Sequence, residues 1–198
     1  MIRNLQRIQI KVATDSPPGL NLNPFLEIFG RWRKEKDDPA EWVDVADYAH
    51  IPRGPGIVLI GQRCNFSFDL APPGPGILYT AKKGLSGTHE EKILTAFQWC
   101  LDLTNRLASE EEFPNDVKLR TDSFEIRFND RLETPNNSST DQELRLPLRS
   151  VLDILFGQHS CDLSPQTDPV QCYGFSLVAK RAEPLEVLLG RLTERASI

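Results

Sequence analysis

An imidazole close to a carboxylate is the minimum equipment for general acid/base chemistry. Asp44, Asp47 and His50 repeat every third residue just before Ile51-Pro52-Arg53-Gly54. With Asp47 or His50 as base and Arg53 to hold an anion, such a site would still need groups from elsewhere in the chain. Asn129-Asp130-Arg131, directly after the apolar alternation that ends at Phe128, is the segment best placed to supply them. The same residues have plainer readings. Helical backbone would put Asp44, Asp47 and His50 along one side, whereas extended backbone would send Asp44 and Asp47 to opposite faces. Surface charges with a capping or turn role account for all three. A tight turn accounts equally for Asn129 to Arg131, because Asn and Asp accept left-handed backbone and bond their own main chain.

A second candidate is an anion site at Lys82, Lys83 and Thr88, where a flexible loop with two lysines runs into a helix start whose free N–H groups favour negative charge. Glu90 and Glu91 already bring that charge, so a capped helix start with a solvated lysine pair is the competing expectation. His159, Cys161 and Cys172 are of metal-ligand type but lack the fourth member that a closed zinc site takes. No metal and no cofactor is therefore expected. Gly54-Pro55-Gly56 and Gly74-Pro75-Gly76 match neither G-x-x-x-x-G-K-S/T nor G-x-G-x-x-G and read as turns. Cys100 falls on an apolar helical stripe and reads as a small core residue.

The elements that must position these groups follow from periodicity. Ile8, Ile10 and Val12 alternate with Arg7, Gln9 and Lys11, which predicts a strand with one wet face. Asn23-Pro24 predicts an N-cap and a first-turn proline for a helix carrying Phe25, Ile28, Phe29 and Trp32. Glu41 to Tyr48 fits a short helix or a strand. Ile57 to Ile60, then Phe66, Phe68 and Leu70, then Ile77 to Ala81 predict strands joined by turns short enough to force an antiparallel meander. Thr88-His89-Glu90-Glu91 has the form of a capping box, followed by Ile93, Phe97, Cys100, Leu101, Thr104 and Leu107 at helical spacing. His89 is expected to point to solvent.

Phe124, Ile126 and Phe128 predict another strand, and a polar loop at 135–140 leads to a helix with Leu144, Leu148, Val151, Leu152 and Leu155. Pro147 implies a kink in that helix or a start later than Leu144. Val170 to Lys180 reads as one long strand, and Pro184 opens a last helix with Leu185, Leu188, Leu189 and Leu192.

Irregular alternation of helices and strands predicts an α+β fold, with a mainly antiparallel twisted sheet of about five to seven strands and amphipathic helices packed on one face. At 198 residues, 39% hydrophobic and 26% charged, one domain over 1–198 is expected. A net charge of −5 argues against nucleic acid as partner, and the basic Arg31 to Lys34 patch runs straight into Glu35, Asp37 and Asp38. The N-terminus alternates where an export signal needs an apolar run of about 7–15 residues. The longest apolar stretch, at 57–60, is far below the roughly 18 residues of a membrane span. Four cysteines without close pairing fit free thiols in the cytoplasm. The function expected is a non-catalytic module that binds another protein or itself, the alternative being a small-molecule enzyme acting on an anionic substrate.

Overall fold

Period-two alternation builds the sheet, and stripes of period 3.6 build the layer that covers it. In the computed structural model, which describes residues 2–168 and 170–196, the chain runs β1 (Ile8–Asp15), α1 (Asn23–Trp32), β2 (Trp42–Tyr48), β3 (Gly56–Gly61), β4 (Cys64–Asp69), β5 (Gly76–Ala81), α2 (His89–Ala108), β6 (Lys118–Phe128), α3 (Ser138–Phe156), β7 (Cys161–Pro165), β8 (Gly174–Ala179) and α4 (Leu185–Ala196). The fold is α+β. Among the described residues, eight strands form one sheet in the order β2-β3-β4-β5-β1-β6-β8-β7, every neighbouring pair antiparallel.

The helices lie on one face of that sheet. Ile8, Ile10 and Val12 of β1 have no exposed surface, nor have Phe66, Phe68, Ile126, Phe128 and Leu177 on its neighbours. Helix α2 crosses β1 and β5 with α3 and α4 beside it, while α1 covers β2 and β3. Phe25 of α1 stacks on Phe68 with ring centroids 4.3 Å apart, and Trp32 stacks on Phe66 at 6.1 Å, so aromatic faces cement this corner. Trp32 also donates from Nε1 to Glu110 Oε1 at 2.6 Å and carries the Arg106 guanidinium 3.9 Å above its ring.

Several details depart from expectation. The sheet has eight strands because Trp42 to Tyr48 is extended and because β7, Cys161–Pro165, is a strand in a stretch for which the sequence pattern predicts no element. The long strand at Val170 to Lys180 reduces to β8. Asn23 is the first residue of α1 rather than its cap; Leu22 occupies the cap without a side-chain bond, and Pro24 fills the first turn where its missing N–H costs nothing. Helix α3 starts six residues before Leu144, at Ser138, because Asn137 Oδ1 accepts from the Thr140 N–H at 3.0 Å; Pro147 sits inside it. His89 is half-buried rather than solvent-facing. The capping box holds: Thr88 N–H and Oγ1 both donate to Glu91 Oε2, at 2.6 and 2.9 Å, and Thr88 Oγ1 accepts from Glu91 N–H.

Among the described residues, no helix is long and apolar enough to cross a membrane. Phe97, fully buried at the centre of α2 and 6.4 Å from the Phe124 ring, tests the layer packing. Phe97→Ala is expected to lower stability by about 3–5 kcal/mol in a chemical-denaturation curve, the usual consequence of emptying a buried aromatic site.

Candidate functional site

The two groups of polar residues singled out in the sequence do not meet. Asp47 pairs with Ile57, and the line of cross-strand partners continues through Phe68, Ile77 and Val12 to Phe124 on β6. Five strand spacings of about 4.8 Å therefore separate β2 from β6, roughly 24 Å. Along that last strand, Asn129 to Arg131 lie at the end away from this line. Each group has a local role instead. Asp44 and Asp47 fall on opposite faces of an edge strand, and each carboxylate accepts a main-chain N–H close by: Val45 N–H to Asp44 Oδ1 and Ala49 N–H to Asp47 Oδ1, both 2.8 Å. His50 and Arg53 are exposed in the turn that follows, Arg53 with left-handed backbone at φ 58°.

Asn129 to Arg131 form a turn. Asn129 N–H donates to the Arg7 carbonyl at 2.7 Å, and Asp130 Oδ1 accepts from the N–H groups of Leu132 and Glu133 at 3.2 and 3.3 Å. Arg131 is exposed. The anion candidate is likewise taken up: Glu91 fills the helix start at Thr88, Lys82 Nζ donates to the Gly61 carbonyl at 2.8 Å, and Lys83 is exposed. Among the described residues, no group of three His, Cys, Asp or Glu side chains could hold a metal ion. Burial pushes the Cys64 and Cys100 thiols up to about 12 and Cys161 to about 11, which removes the thiolate that nucleophilic chemistry would need.

One feature that could receive a ligand lies on the sheet face opposite the helices. Lys11, mid-strand on β1, points to that face, and its stem runs over β5 to reach Asp69 on β4. Gly76 makes the crossing possible, since a Cβ there would come within 2.8 Å of Lys11 Cε. Lys11 Nζ donates to Asp69 Oδ2 at 2.7 Å and to the Ala71 and Gly74 carbonyls at 2.9 and 2.5 Å. Three protons meet three acceptors, which is the condition for burying an ammonium; both side chains are only 5% exposed. The loop at 71–75 is thereby folded down over part of the sheet face opposite the helices as a roof. A second latch comes from Arg127 on β6, whose Nη2 donates to the Pro72 carbonyl at 3.1 Å and to Glu125 Oε2 at 2.5 Å.

Between this roof and the loop that precedes β8, two cavities of about 200 and 230 Å³ adjoin along β6 and β8, with Glu125 and Ser176 common to both. One is bounded by Ala13, Pro73 and Pro75, the other by Arg127, Gln166 and Gln171. The charged groups at the cleft are tied to one another or to main chain. Sequence reasoning missed it: Ser123, Glu125 and Arg127 read as the wet side of a strand, and nothing local says that a Pro-Gly turn 50 residues earlier folds over them.

Two outcomes follow. Lys11→Met strands a buried carboxylate and is expected to cost about 3–5 kcal/mol in urea unfolding, most of it recovered in Lys11→Met with Asp69→Leu. Asp44→Val with Asp47→Val frees the edge of β2 and is expected to produce concentration-dependent association by light scattering. No protein-family model matches the chain, and no curated protein matches its sequence.

Proposed function

We propose that the chain is a non-catalytic binding module that holds a protein partner on the sheet face left free of helices, in the cleft under the 71–75 roof. The observation that carries this reading is the pair of adjoining cavities along β6 and β8, joined at Glu125 and Ser176 beneath a loop fastened by Lys11 and Arg127. A roof held by buried hydrogen bonds gives a cleft of fixed shape, and fixed shape serves selective docking. Its lysine has every proton engaged and its arginine is paired with Glu125, which leaves recognition rather than proton transfer as their use. Four free cysteines, three of them buried, suit a reducing compartment, and we place the module in the cytoplasm.

Ser176 lies at the joint of the two cavities and is exposed, so a large side chain there fills the cleft without entering the core. Ser176→Trp is expected to abolish retention of the partner captured by the wild-type protein from extracts of its native cell. Asp102→Trp, on the exposed side of α2, should retain it, with both variants melting near the wild type. Equal retention by both variants would overturn the reading.

A further inference from the structure

We infer that the partner enters this cleft as an extended peptide segment of about four residues, gripped through its main-chain amides and by neutral groups. The inference rests on the docking reading above and specifies its chemistry. Length comes first. Ser123, Glu125 and Arg127 are successive outward positions of β6, so the floor they mark is about 14 Å long, the reach of about four extended residues. A single amino acid would occupy one cavity and leave the other open.

Charge comes next. Lys11 is matched by Asp69 and Arg127 by Glu125, so the floor carries no net charge and offers no unpaired cation to a phosphate backbone. What remains are neutral or already compensated hydrogen-bonding atoms. Among the described residues, Glu125 Oε1 and the Nε and Nη1 of Arg127 take part in no hydrogen bond. The hydroxyls of Ser123 and Ser176 stand beside them. A peptide main chain presents N–H and C=O groups towards one side at a repeat of about 6.8 Å, the spacing at which β6 presents its side chains. The backbone groups of β6 and β8 are already paired within the sheet, so the segment lies over the face and is held by side chains.

The walls then select residues. Ala13, Pro73 and Pro75 form an apolar end suited to a small aliphatic side chain, and Gln166 and Gln171 form a polar end suited to an amide or hydroxyl. The two ends are about 14 Å apart, and same-side residues of an extended segment at that distance are four positions apart, so the cleft reads an aliphatic residue followed about four positions on by a polar one.

The probe is a phage-displayed library of random heptapeptides panned on the full chain, with selected peptides synthesised and measured by fluorescence anisotropy. Selected peptides are expected to share an aliphatic residue followed about four positions on by a polar one, and to lose at least about tenfold in affinity on Ser176→Trp but not on Asp102→Trp. Their affinity should change less than about twofold between about 50 and 300 mM salt, because no net charge is neutralised on binding. Failure to select any peptide, selection of peptides that bind Ser176→Trp as well as the wild type, or a steep salt dependence each overturns the peptide inference. If Ser176→Trp nevertheless abolishes capture of the native partner, the docking reading stands without it; if that capture is unaffected, the docking reading itself falls.

Discussion

Strand β1 is the constraint on which the fold turns. The strands β2 to β5 form a meander on one side of it, and β6, β8 and β7 form a second group on the other; β1 hydrogen-bonds to both and is the join. Its partners Ile77 and Phe124 are more than sixty and a hundred residues away in sequence, so the sheet cannot become continuous until long loops have closed. The reward is that Ile8, Ile10 and Val12 pack against α2 with no exposed surface, and burying such side chains is worth roughly 1.5–3 kcal/mol each. Because α2 in turn supports α3 and α4, one strand organises both layers.

The opposite side of β1 organises the cleft. Lys11 is the residue between two core positions, so its orientation to the bare face is dictated by Ile10 and Val12 facing the helices. An ammonium on a crowded face must find acceptors, and those within reach are Asp69 and the carbonyls of the loop after β4. The roof is thus a consequence of satisfying one buried charge. Gly76 lacks a side chain because a Cβ there would meet the Val12 carbonyl at 2.5 Å as well as the Lys11 stem at 2.8 Å.

How much of this was legible in the sequence depended on the range of the interaction. Helix α2 was plain, because the Thr88–Glu91 box and the stripe from Ile93 to Leu107 are both local and agree. The β3–β4–β5 meander was plain because its links are short. Strand β7 was hidden because an apolar alternation of Cys161 and Leu163 alone, closed by Pro165, is too brief to separate from loop. The start of α3 was misplaced because a proline inside the helix outweighed an Asn137 cap that lay in an apparently featureless polar stretch. The aspartates and histidine before Arg53 drew attention by residue type, yet type says nothing about distance. The residues that form the cleft are ordinary strand residues, and only the register of β1, β5 and β4 brings Lys11 to Asp69.

The double fastening of the 71–75 loop bears on kinetics. A loop anchored to the central strand by Lys11 and to β6 by Arg127 moves with the core rather than with solvent. On the binding reading proposed above, a segment arriving beneath it would meet a cleft already shaped, so little conformational entropy would be lost on contact. By the same token, on that reading a segment would enter and leave along the cleft, through its ends, and residence time would be set by how far it must slide before it is free.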